Sequence, residues 1–142
     1  MEPAHVGLIL DSSVVINGER RGHTIRQILE QFKAGYGEIE IGLSVVTIVE
    51  LVHGVQRADT EERRQHRQAF VDELIRDVPV HPVTIETARL AGCIEGEQAA
   101  QGVTIAFEDL LIATTALQLG FGVVTGNVRH FEKIPKLTIV RA

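Results

Sequence analysis

Tryptophan is absent from these 142 residues, and cysteine occurs once, as Cys93. A single thiol makes neither an internal disulfide nor a cysteine-based zinc site, so the chain suits a reducing compartment. Aromatic side chains amount to five Phe and one Tyr, too few for a platform that stacks several single-stranded bases. Basic residues are outnumbered, 14 Lys and Arg against 19 Asp and Glu for a net charge of −5. That excludes a broadly cationic coat for nucleic acid while leaving room for a local basic patch. No uninterrupted apolar run approaches the roughly 18 residues of a membrane span. The opening Met1-Glu2-Pro3-Ala4-His5 has neither the cationic stretch nor the long apolar core of a secretion signal. A soluble, cytoplasmic chain with no membrane partner is the expectation.

What is present is an ordinary globular balance, 44% hydrophobic and 23% charged. A chain of this length makes one domain, expected over residues 1–142, with a core large enough to need no staples. Val6–Leu10 is a short apolar run of the kind buried on both faces of a parallel sheet. Ile25, Ile28, Leu29 and Phe32 recur at helical spacing, predicting a helix over about 23–34 that Gly35 and Gly37 close. Ile39–Leu43 reads as a second strand. Ser44 then caps a helix over 45–52 that Gly54 ends, although its β-branched content would also suit a strand.

Thr60 opens a charged helix to about Asp77, and a brief strand is expected within 78–83. Thr84 caps a helix of about fifteen residues, and a strongly apolar helix spans 107–119. Strands are expected over 120–125 and 137–140. Strands alternating with helices indicate an α/β domain with a mainly parallel sheet of about five strands.

In such sheets the ligand site lies beyond the carboxyl ends of the strands. Asp11 follows the first strand and Asn127 the fourth, while Glu50 and Asp109 each interrupt an apolar helix. A buried carboxylate without a partner costs several kcal/mol or changes protonation, and a shared divalent cation would be such a partner. Each residue also has a plainer role: Asp11 as a helix cap, Glu50 as an exposed or arginine-paired acid, Asp109 as a dipole-compensating acid in a first helical turn, Asn127 as a turn residue. Together they make a site, because one α/β topology brings all four to one sheet edge.

The segments Leu8-Ile9-Leu10-Asp11-Ser12-Ser13-Val14, Ser44-Val45-Val46-Thr47-Ile48-Val49-Glu50-Leu51, Phe107 to Leu117 and Val124-Thr125-Gly126-Asn127-Val128-Arg129-His130-Phe131 resemble, in this order, the PIN-domain family and its VapC-type toxins of bacterial toxin–antitoxin pairs. The resemblance implies a three-layer α/β/α fold and a Mg2+- or Mn2+-dependent ribonuclease, usually dimeric and held inactive by an antitoxin protein. It places the metal-binding acids at Asp11, Glu50 and Asp109, with Ser13 and Thr125 as supporting hydroxyls. A fourth position, often aspartate in the family, carries Asn127, whose amide oxygen ligates without adding charge. Glu108 is a further acid beside Asp109, but consecutive helical residues point about 100° apart. Magnesium prefers oxygen ligands and keeps several waters, so a few carboxylates suffice.

RNA contact is harder to read. Arg57, Arg63, Arg64 and Arg67 are interleaved with Asp59, Glu61 and Glu62, which favours a solvated face of ion pairs over a phosphate site. Arg20, Arg21 and Arg26 form a second candidate. His130 reads more simply as a loop histidine than as a substrate contact. The alternative function is a receiver-like, phospho-accepting signalling domain. That fold wants paired acids after the first strand, where Ser12 and Ser13 stand instead. A Rossmann-type nucleotide binder would need a glycine-rich turn there, which is missing.

Overall fold

The computed structural model describes residues 6–142; Met1–His5, read above for the lack of a secretion signal, lie outside the described residues. The chain runs β1 (Gly7–Leu10), α1 (Ser12–Arg20), α2 (Ile25–Tyr36), β2 (Glu40–Ser44), α3 (Val45–Gln56), α4 (Glu61–Asp77), β3 (Val80–His81), α5 (Ile85–Ala100), α6 (Phe107–Leu119), β4 (Gly122–Thr125), α7 (Val128–Phe131) and β5 (Ile139–Arg141). Every residue of β1 is buried, because the strand is flanked by β2 and β4 and covered by helices on both faces. The five strands pair in parallel in the order β3-β2-β1-β4-β5.

The pleat of β1 sends its side chains to two separate cores. Leu8 and Leu10 join Leu43 of β2 and Val15, Ile28, Leu51, Val55 and Leu74 from α1 to α4. Ile9 joins Val123 of β4 and Ile94, Leu110, Ile112 and Phe131 from α5 to α7. The result is the three-layer α/β/α arrangement expected above.

Local chemistry sets most helix starts. The hydroxyls of Thr24, Ser44, Thr60 and Thr84 accept from backbone N–H groups in the first turns of α2, α3, α4 and α5. Two helices were not read from the sequence. In α1 the polar Ser12-Ser13 start and the short run Val14-Val15 gave no full helical period. Its close approach to α2 depends on Gly18, where an added Cβ would stand 2.6 Å from Ile28 Cδ1. The four-residue α7 is too short to carry a period at all.

Two expected helix ends move. The helix α2 passes through Gly35 and stops at Gly37, which takes φ +77°. The helix α3 continues through Gly54 to Gln56, and Arg67 Nη1 donates to the Gly54 carbonyl oxygen at 2.8 Å. One glycine costs a helix only about 1 kcal/mol relative to alanine, which the packing of α3 on α4 outweighs. No helix among the described residues is long and apolar enough to cross a membrane.

Candidate active site

The sheet order reverses at β1, whose two neighbours are β2 and β4. A crevice beyond the carboxyl ends of β1 and β4 follows from that reversal. Asp11 leaves β1 there, only 4% exposed. Its side chain does not cap α1. Instead, Asp11 Oδ2 accepts from Ser13 Oγ and from Thr125 Oγ1 at the end of β4, each at 2.9 Å. Thr125 Oγ1 also accepts from the Asn127 backbone N–H at 2.9 Å, and Ser13 Oγ from the Gly126 N–H at 3.1 Å. Ser13 and Thr125 thus tie the first strand's acid to the loop after the fourth.

Glu50 lies one turn inside α3 and Asp109 in the first turn of α6. Burial, then the charges of Asp11, Asp109 and Glu108, raise the Glu50 carboxyl above its ordinary range, while a hydrogen bond from Ser12 pulls against them. Burial and the charge of Asp11 likewise raise Asp109, against the pull of His130. Glu50 thus feels the charges of Asp11 and Asp109, and Asp109 feels that of Asp11, which puts the three acids in one region. Glu108 adds repulsion from an exposed position. The surroundings of Glu50 are less apolar than its sequence neighbours suggest, because Val49 is 68% exposed and Val52 is exposed beside it. Asn127 is exposed and precedes α7, with no cap bond from its side chain.

Sequence reasoning missed two contacts. Ser12 Oγ donates to Glu50 Oε2 at 3.1 Å, and His130 Nδ1 stands 3.3 Å from Asp109 Oδ2. A serine at a helix start looks like a start signal, and no periodicity links residue 130 to residue 109.

The donor set is all oxygen and anionic, which fits Mg2+ or Mn2+. In each acid the bonds above engage one oxygen and leave the other out. Among the described residues, no three His, Cys, Asp or Glu side chains stand close enough together to hold a metal ion as they are placed. An open carboxylate cluster suits an ion that keeps several of its waters.

A groove of about 720 Å³ runs between α1, α3 and α4 and reaches Glu50, with Val15, Leu51 and Phe70 in its walls. Glu19 lines it, and its Oε2 is buried without a hydrogen-bond partner among the described residues. On α4, Arg63 Nη1 bonds both oxygens of Asp59, the exposed ion pair expected from the interleaving with acids, whereas Arg64 lies 3.9 Å from Glu61 and its buried Nε has no hydrogen-bond partner among the described residues.

The PIN domain family model matches residues 8–137. The chain is 31% identical to Ribonuclease VapC1 of Rickettsia felis over 135 residues, covering 95% of this chain and 96% of that one. It is 33% identical to the tRNA(fMet)-specific endonuclease VapC of Salmonella typhimurium over 97 residues, 68% of this chain and 71% of that one. Among solved structures, the DNA-bound VapBC of Salmonella typhimurium superposes with a TM-score of 0.80 at 26% identity, over 96% of this chain and 98% of that one. The DNA-bound VapBC2 of Rickettsia felis gives the same TM-score at 20% identity, a likeness of fold. Nothing in these relatives supports the receiver-like alternative.

Proposed function

The chain belongs to the PIN-domain family, among its VapC ribonuclease toxins, and on that premise we propose that it hydrolyses RNA phosphodiester bonds with a divalent metal, Mg2+ or Mn2+, held by Asp11, Glu50 and Asp109. The observation that carries this reading is the placement of three acids, from β1, α3 and α6, by the sheet's reversal point, with Glu50 raised by burial and the charges of Asp11 and Asp109, and Asp109 raised by burial and the charge of Asp11. Such a cluster is unfavourable unless a cation joins it.

Asp11, Glu50 and Asp109 would hold the metal, which would supply Lewis-acid activation of a water and compensation of charge on the leaving oxygen. The chain's own residues do the rest. Ser13 and Thr125 fix the Asp11 carboxylate, and burial keeps bulk water from screening the cluster. Asn127 supplies a neutral oxygen at the rim, so three carboxylates favour one tightly held ion. The N127D variant adds a fourth charge and binds Mn2+ more tightly in calorimetry; unchanged affinity and stoichiometry would make Asn127 a turn residue only.

The relatives with solved structures are VapBC complexes, and a cognate antitoxin is the proposed partner here too. The exposed Val45, Val49 and Val52 of α3 offer an apolar surface to a second copy, in keeping with a homodimer. One domain over 1–142 and a cytoplasmic location complete the reading.

Asp109→Asn tests it. The substitution keeps the shape of the side chain and removes one charge, so metal-dependent RNA cleavage falls by more than about a hundredfold, beyond the roughly 10–100-fold typical of residues behind a ligand. Circular dichroism stays that of the folded protein. Full cleavage by the purified variant would overturn the assignment.

A further inference from the structure

The three acids differ in how they are held. Asp11 has two hydroxyls on one oxygen, both among the residues that the family resemblance marks as supporting. Glu50 and Asp109 have none of those. Yet among the described residues each has one polar neighbour on one oxygen, from an element other than its own. Ser12 Oγ donates to Glu50 Oε2 at 3.1 Å across 38 residues of sequence. His130 Nδ1 lies 3.3 Å from Asp109 Oδ2 across 21.

Neither neighbour is an accident of a loose surface. Ser12 is 7% exposed, and its one described side-chain hydrogen bond goes to Glu50. His130 is itself exposed, but the next residue, Phe131, is fully buried in the α5–α7 core and fixes the short helix that carries the imidazole. The backbone N–H of His130 donates to the Asn127 carbonyl oxygen at 3.0 Å, which joins that helix to the loop after β4.

We infer that Ser12 and His130 are positioning residues: each holds one oxygen of a carboxylate, Glu50 and Asp109 respectively, so that the other oxygen faces the shared centre. Glu50 is otherwise free to turn about three side-chain bonds into the adjoining groove, and Asp109 about two bonds into solvent. Freezing such rotors before the ligand arrives removes an entropic cost from binding. Partners behind a ligand typically account for about 10–100-fold in metal affinity.

The inference rests on the metal-site reading above, and Mn2+ titration of the full chain by calorimetry, beside RNA cleavage, separates the two. S12A and H130A are each expected to bind Mn2+ about 10–100-fold more weakly than wild type, at unchanged stoichiometry and melting temperature. S12T keeps the hydroxyl, and H130N places an amide N–H near the Nδ1 position; both restore affinity to within a few-fold. Cleavage recovers in parallel when Mn2+ is raised to saturation, with KM for RNA unchanged. Alanine variants that bind Mn2+ as well as an active wild type, or more tightly, overturn the positioning role and leave the metal site standing. Loss of affinity that S12T and H130N fail to rescue also overturns it. A wild-type protein with no affinity for Mn2+ overturns the metal site itself.

Discussion

Glu19 and Glu50 face the same groove from α1 and α3, and burial raises both carboxyls above the ordinary glutamate range. Their electrical surroundings are opposite. Around Glu19 stand His66, Arg67 and Arg20, each of which pulls its titration back down. Around Glu50 stand Asp11, Asp109 and Glu108, each of which pushes it further up. The fold compensates one buried acid with its own cations and gives the other more acids. A carboxylate offset from within is part of the architecture, whereas one left among like charges is where the proposed metal ion would bind.

The largest effect that sharpens this contrast is the response to divalent ions. An ion that binds only the folded state stabilises it by about 2.7 kcal/mol at a hundred times its dissociation constant. In a chain of this size that is roughly 10 °C in melting temperature, at about 4 °C per kcal/mol. Scanning calorimetry with saturating Mn2+ shows the shift in the wild type and in E19Q, and loses it in E50Q. A wild-type melting temperature unmoved by Mn2+ would erase the distinction between the two acids.

A smaller effect is expected without metal. E50Q removes a charge from a repelling cluster and raises the melting temperature of the metal-free protein by roughly 4 °C, about 1 kcal/mol. The pH dependence has a definite sign. A carboxyl whose folded-state pKa is raised holds more protons folded than unfolded, so stability falls as pH rises from the ordinary glutamate range through the raised value. The advantage of E50Q over wild type is therefore greatest at neutral pH and shrinks on acidification, and Mn2+ reverses it. An advantage independent of pH would place its origin in packing.

The smallest effect belongs to E19Q. Its amide relieves the same desolvation but gives up attraction to the guanidinium groups of Arg67 and Arg20, so the melting temperature at neutral pH moves by less than about 2 °C, in the range of ordinary half-buried substitutions. Added Mn2+ leaves that difference unchanged. An E19Q shift as large as that of E50Q would mean that His66, Arg67 and Arg20 do not compensate Glu19.

Legibility in the sequence followed the range of the physical cause. Asp11, Glu50 and Asp109 stand out as acids at the end of an apolar strand or inside apolar helices, and a polar residue in an apolar run is visible without coordinates. Ser12 and His130 do not stand out, because their meaning is a contact 38 and 21 residues away. Gly54 looks like a helix stop, yet the Arg67 guanidinium on its carbonyl oxygen and the packing of α3 on α4 carry the helix past it. The valines near Glu50 look buried, yet Val49 is mostly exposed, because α3 turns only part of its apolar circumference toward the sheet.

By itself the sequence determined the alternation of strands and helices and the capped starts of α3 to α5, and it offered Asp11, Glu50 and Asp109 as candidates. Periodicity and N-caps act over one or two turns and need no tertiary partner. Only the tertiary structure decided that the strand order reverses beside β1, which brings Thr125 to Asp11 across 114 residues. It also decided which acids meet cations and which meet each other. Desolvation and Coulomb energy depend on what surrounds a charge in space, and a chain acquires those surroundings only when it folds.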